Sequence, residues 1–343
     1  MTVIMHGRAM GAAVLTTLLV TFLSPVPTAA RVAARTAVEL SLVAGYSNRD
    51  DSVSGLQGSQ KCAAGFEYFA KLSGDRGDYA TTDVQLRLSY DSRQEGDDAF
   101  AFEVHNAWLE YRLGLGRKLR FGHFTQAHGL EPVRDTHGTL VQTLAPLDVG
   151  FKKDWGIGYS GTAGPLDLDV ALQTGTGMAP APGDGSYLVS AQTWSPSGME
   201  TRYALSVLHG EVRTGGQMRT LPLPDYTDGT TTRTRVGAAL ERLAGSFTLL
   251  AEASVGRDNA SPVGGLLAEV DYVPPSAQRL TIELQLRAWD NDLDSSGGTI
   301  TAAHAGASYL LTDALTLRGA LTVVGRDGQD ETQATIQLYY YGG

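Results

Sequence analysis

The run Arg279–Trp289, RLTIELQLRAW, alternates without a fault. Leu280, Ile282, Leu284, Leu286 and Ala288 fall on one face, and Thr281, Glu283, Gln285, Arg287 and Trp289 on the other. Successive side chains of a β-strand point to opposite sides, so this is a strand with one oily and one wet face. In a soluble sandwich the oily face meets a protein core. In a membrane barrel it meets lipid, and the wet face lines a watery interior. The rest of the chain has to choose.

The pattern recurs along the whole sequence. Val38, Leu40, Leu42 and Ala44 alternate with Glu39 and Ser41; Val84, Leu86 and Leu88 with Asp83, Gln85 and Arg87; Leu315, Leu317 and Leu321 with Thr316, Arg318 and Thr322. Weaker versions lie near 100–113, 118–125, 154–161, 186–195, 200–210, 231–242, 263–273 and 299–310. Helical periodicity is almost absent. The runs sum to about sixteen strands, with oily stretches of about 9–11 residues, the length of a tilted crossing of the hydrocarbon. Tyr46, Tyr90, Tyr111, Trp155, Tyr159, Tyr309 and Tyr340 lie at run ends, where an interfacial girdle would place them. The connections read as short turns alternating with longer loops (47–63, 91–98, 126–153, 176–185, 211–230, 256–262, 290–298 and 325–331), with both termini on the short-turn rim. That threading belongs to an all-β, antiparallel transmembrane barrel and not to a Greek-key sandwich.

Composition agrees. Of 343 residues only 19% are charged and 41 are Gly, and a single cysteine, Cys62, rules out an intrachain disulfide. A closed barrel needs no such staple, because every backbone group is paired between strands. The net charge of -10 with no basic block excludes a nucleic-acid partner. Near the start, Arg8 precedes the apolar run Ala9–Leu23, Ser24-Pro25-Val26-Pro27 breaks it, and Thr28-Ala29-Ala30 offers a cleavage site. Residues 1–30 therefore read as a cleaved signal peptide, leaving 31–343 as one barrel.

The segment His105-Asn106-Ala107-Trp108-Leu109-Glu110-Tyr111, followed by Leu119-Arg120-Phe121-Gly122-His123-Phe124 and Gly129-Leu130-Glu131, resembles bacterial outer-membrane porins, most closely the phosphate-selective porin family. The resemblance implies a barrel in the outer membrane, in contact with its lipid and lipopolysaccharide. It also implies a channel role for small polar solutes and ions, and a homotrimer. Small outward residues such as Ala303, Ala305 and Ala307 suit the last. The sparse Arg and Lys content does not extend the likeness to phosphate selectivity.

The longest connection, 126–153, carries Leu130, Val133, Leu140, Val141, Leu144 and Leu147, too apolar for a solvated tail. The reading is a loop folded into the barrel, with Glu131, Arg134, Asp135 and His137 turned to water as the pore constriction. Arg87, Glu110, Arg112, Arg120, Glu283, Arg287 and Arg318 are expected to line the pore. Opposed acids and bases there would bias entry weakly toward cations, through Glu131 and Asp135.

No His-Glu-x-x-His, Gly-x-Ser-x-Gly or phosphate-cradling glycine loop is present, so the chain is read as a non-enzyme without cofactor or bound metal. The acidic pairs Asp50-Asp51 and Asp97-Asp98 read as solvated loop tips. The competing readings are a plugged structural or adhesion barrel and, more remotely, a barrel hydrolase.

Overall fold

A computed structural model describes residues 31–49, 52–54, 61–75, 77–91, 99–180, 185–213, 219–221, 229–295, 297–326 and 328–343. The signal-peptide segment and both acidic pairs lie outside these residues.

Sixteen long strands form the wall. They are β1 (Arg31–Ser47), β2 (Cys62–Gly74), β3 (Gly77–Tyr90), β4 (Phe100–Gly114), β5 (Arg117–Thr125), β6 (Lys153–Ala163), β7 (Leu166–Gln173) and β8 (Tyr187–Trp194) in the first half. The second half holds β9 (Thr201–Arg213), β10 (Thr230–Ala244), β11 (Phe247–Asp258), β12 (Ser261–Tyr272), β13 (Leu280–Asp290), β14 (Thr299–Leu310), β15 (Leu315–Arg326) and β16 (Gln329–Gly342). A three-residue strand, Ser52–Ser54, folds back on the end of β1. Each long strand pairs antiparallel with the next, and β16 returns to β1 from Val38↔Gly342 to Ser47↔Gln333. The sheet closes on itself and leaves no edge.

The two faces are inverted relative to a soluble protein. In β13, Leu284 is 52% and Leu286 64% exposed, whereas Glu283, Gln285 and Trp289 are 6%, 3% and 1% exposed. The same holds in β1, where Leu40 and Leu42 face out and Glu39 and Ser41 are buried. An apolar outer surface around a polar interior is stable only where lipid replaces water outside. Tyr46, Tyr90, Tyr111, Tyr309 and Tyr340 are exposed on this outer face near strand ends. Trp155 instead packs on His123, with ring centroids 5.1 Å apart, and its Nε1 donates to the Met178 carbonyl at 3.0 Å.

Loop lengths do not alternate strictly. The expected longer loop at 256–262 is a two-residue turn, because β11 and β12 register through Asp258↔Ser261, and within the expected loop 325–331 β15 and β16 pair as far as Arg326↔Gln329. Asn259 makes the first turn at φ 52, a conformation Asn tolerates and tight hairpins need. Conversely, the short-turn rim includes the seven-residue connection 273–279. The long loop also ends one residue early, since Lys153 opens β6.

Candidate functional site: the long loop and the inner wall

Pro132, Pro146, Gly129, Gly138 and Gly150 interrupt residues 126–152 and prevent further strand formation. One helical turn, α1 (Ala145–Asp148), begins with Pro146 in its first turn. Gly129 adopts φ 62, and a Cβ there would lie 1.8 Å from Glu252 Oε1. The left-handed backbone favours glycine here, and a side chain would have to push the flexible Glu252 carboxylate aside.

Leu130 and Leu144, both fully buried, cluster with the inward residues Trp194, Ala204, Ala239, Leu250 and Leu267, and Val133 packs against the group. A second cluster joins Val149 and Phe151 to Leu188, Leu208 and Val212. The inner wall from β8 to β12 is thus apolar where the loop touches it. Polar pins accompany these contacts. Asp148 on α1 accepts from Arg235 Nε at 2.5 Å and pairs with His128 Nε2 at 2.9 Å, and Arg235 also holds Asp258 at 2.5 Å. Burial by itself would raise the Asp148 carboxyl. The His128 hydrogen bond and charge, with Arg235, outweigh it and hold the carboxyl below its ordinary range.

From this seat the loop reaches other sectors. Arg134 bonds Glu269 and lies 3.1 Å from Asp271, both on β12. His137 Nε2 is 2.8 Å from Glu39 on β1 and 2.9 Å from Gln85 on β3, and its ring centroid lies 4.0 Å from that of His105 on β4, the two rings tilted by 46°. Asp135 is exposed, and its Oδ1 accepts the His137 backbone N–H at 2.9 Å. Glu131 is buried, its carboxylate accepting from the Thr143 hydroxyl. Burial raises its pKa against the pull of Lys152. Lys152 is lowered by burial and donates to Thr136.

The wall residues singled out in the sequence divide. Arg87 joins the His137 group, 2.5 Å from Glu103 and 3.7 Å from Glu39. Arg287 reaches the Thr143 carbonyl at 3.5 Å, and Glu283 is buried and accepts from Ser308 at 3.3 Å. Arg318 donates to Gln337 at 3.2 Å and stacks on Tyr339. Glu110 and Arg120 pair at 2.6 Å toward the opposite rim, below the loop. Arg112 does not join the group around the loop: it is exposed beside the 115–116 turn, opposite Lys118 in register.

Sequence reading missed Lys61 and Glu103, which pair at 3.0 Å, and the inward His105. The β3–β4 register jumps from Gln85↔Asn106 to Leu86↔Val104, so His105 is the extra residue of a bulge that re-aims it. It also missed the His128–Asp148–Arg235 pin. Ser254 Oγ, His128 and Asp148 bring a hydroxyl, an imidazole and a carboxylate together, yet both partners meet the same Nε2, at 3.5 and 2.9 Å. A relay needs the two ring nitrogens on different partners. The trio is a buried anchor.

No protein-family model matches the sequence, and no curated relative does. Solved structures do match. The anion-selective porin from Comamonas acidovorans superposes at a TM-score of 0.64 with 11% identity, over 91% of this chain and 99% of that one. OmpF of Salmonella typhi gives 0.65 with 10% identity, over 90% and 97%. The fold is that of an outer-membrane porin. The outer membrane channel DcaP of Acinetobacter baumannii gives 0.59 with 14% identity, over 92% and 98%. These likenesses support a porin fold in general and do not single out the phosphate-selective family.

Proposed function

We propose that the chain is an outer-membrane channel for passive diffusion of small hydrophilic solutes and ions, with residues 126–152 as its constriction. The observation that carries this reading is the loop's position. It rests on the apolar inner sector of β8–β12 and extends Arg134 toward β12 and His137 toward β1, so solutes pass between its polar side chains and the wall. Nothing is turned over, and the assembly is a homotrimer, as in the resemblance given above.

Weak cation preference follows from charge placement. Glu269, Asp271 and Glu283 sit in one sector with Arg134 as the cation paired to the first two. The acids that matter are therefore these wall residues more than Glu131, which is buried against Thr143. Single-channel recording in a planar bilayer tests the proposal. Stable steps in groups of three with a small cation-directed reversal potential in a salt gradient support it, and strong anion selectivity contradicts the charge reading.

One observation favours a second reading. The cavity between the loop and the β3–β4 wall, lined by Arg87, Glu103, His105 and His137, is only about 50 Å³. A folded barrel that stays electrically silent would be a loop-plugged scaffold.

A further inference from the structure

The two sides of β1 are covered to different depths. β1 pairs with β2 from its first residue, Arg31↔Ser73, but with β16 only from Val38↔Gly342. Gly343 lies beside Thr36, where a Cβ added to it would be 2.4 Å from the Thr36 carbonyl oxygen. The first residues of β1 therefore hang from the short-turn rim as an edge, roughly 20 Å of strand at about 3.3 Å per residue. Residues 31–36 are all exposed, and no described residue pairs with the side of Arg31–Arg35 that faces away from β2.

The rest of the strand shows which backbone groups are bare. Val43 N meets Cys62 Sγ on the β2 side at 3.4 Å, and Asn48 N donates to the Thr332 carbonyl on β16 at 3.1 Å. Backbone groups alternate between the two sides of a strand, so odd-numbered residues of β1 bond toward β2 and even-numbered ones away from it. The N–H and C=O groups of Val32 and Ala34 thus form an open row. No proline or bulge interrupts it, although native proteins usually blunt an edge in such ways. Arg31, Ala33 and Arg35 share the lumen-side face of Glu39, with Lys71 of β2 opposite Ala33. Arg35 lies 3.7 Å from Glu67, whereas Arg31 and Lys71 have no acidic partner among the described residues. Asp78 accepts from the Ser73 hydroxyl at 2.5 Å. Val32, Ala34 and Thr36 continue the outer face.

We infer that this edge is the docking site for an extended segment of a periplasmic protein, added to β1 as a further strand, in which acidic residues alternate with apolar ones. The short-turn rim of such a barrel faces the periplasm. Main-chain hydrogen bonds to Val32 and Ala34 hold the added strand, and its alternate side chains supply the selectivity. Its acids lie on the face of Arg31, Arg35 and Lys71, and its apolar residues beside Val32 and Ala34. A second copy of the chain is a poor occupant. Two copies meeting antiparallel about Ala33 set Arg31 opposite Arg35 at both ends, and like charges directly opposite are unfavourable. Residues 1–30 contain no Asp or Glu, so they offer no complementary charge either. The inference concerns the rim and stands or falls independently of conduction through the lumen.

Fluorescence anisotropy of a labelled synthetic peptide of alternating glutamate and valine, titrated with the full barrel folded in detergent, tests it. The expected result is saturable binding that the same peptide with lysine in place of glutamate does not show. Ala34→Pro removes one outward N–H and no bond to β2, so the barrel folds and binding weakens roughly tenfold, the worth of about one hydrogen bond. Arg31→Ser with Arg35→Ser weakens it severalfold. If Ala34→Pro does not fold, the glutamate peptide N-methylated at every second residue deletes the same bonds from the other side and should bind as weakly. Absence of saturable binding overturns the site. So does equal binding of the lysine peptide, which marks partition into detergent, or binding that Ala34→Pro and N-methylation leave unchanged, which places the peptide elsewhere. Light scattering in which Ala34→Pro alone breaks up an oligomer overturns it too, because the edge is then occupied by a second copy.

Discussion

The inner wall has two characters. From β8 to β12 it presents Leu188, Trp194, Ala204, Leu208, Ala239, Leu250 and Leu267, all buried under or beside the loop. From β1 to β4 it presents Glu39, Gln85, Arg87, Glu103 and His105. The loop is bonded to both, and the difference separates two tasks. Apolar contact holds the loop, because it is insensitive to ions and roughly proportional to buried area. Polar contact, which on the channel reading also shapes the field a solute would meet, contributes little net stability per bond because water competes for both partners.

That division can be broken most severely at its most deeply buried charged pin. Arg235→Ala removes the guanidinium from a fully buried Asp148, leaving His128 beside it, and should destabilise the folded barrel by about 3–5 kcal/mol. Urea titration of the protein refolded in lipid vesicles reads the loss. Leu130→Ala should follow, at about 2–5 kcal/mol, as a large-to-small change in the seat. His137→Ala, on the polar side, should cost only about 1 kcal/mol, since Glu39 retains Arg87 at 3.7 Å. Equal losses for Leu130→Ala and His137→Ala would contradict the division.

Arg134→Ala moves selectivity more than stability. Glu269 and Asp271 lose their shared guanidinium, and the cation-to-anion permeability ratio should rise severalfold, read from the reversal potential. A ratio that does not move would show that these acids lie off the conduction path.

The smallest effect is the pH dependence. Glu131 has a raised pKa from burial, so the seated loop favours its protonated form. That contribution is present at low pH and is lost as pH rises through the raised value. Asp148 acts in the opposite sense: its depressed pKa gives stability above the ordinary carboxylate range that is lost as pH falls through the depressed value. Conductance should therefore rise as pH climbs through the raised Glu131 value and again as pH falls through the depressed Asp148 value, and Glu131→Gln should abolish the first limb alone.

The barrel was legible because a period of two survives in strand after strand, as in Arg279–Trp289, where each face meets a different solvent. The seat was not legible for the opposite reason. In β9, Tyr203, Leu205 and Val207 face lipid while Ala204, Leu208 and Val212 face inward, so both faces are apolar and alternation fades. Read alone, that fading looks like a weak strand. It marks where the loop docks, since only a wall covered by protein can afford an oily interior. The charged contacts were hidden because His137 meets Glu39 across 98 positions and Arg134 meets Glu269 across 135, and register around a closed barrel, not local pattern, brings them together. Loop lengths misled at 259–260, where one Asn in a left-handed conformation turns the chain in two residues.

The central claim is that residues 126–152 sit on the apolar sector and narrow the lumen. Single-channel conductance of wild type beside Leu144→Asp tests it most directly, because a carboxylate cannot remain at a fully buried apolar position. The account predicts a folded variant whose conductance is severalfold larger and noisier, with weaker selectivity. Identical conductance in the two would mean that the loop does not limit the pore.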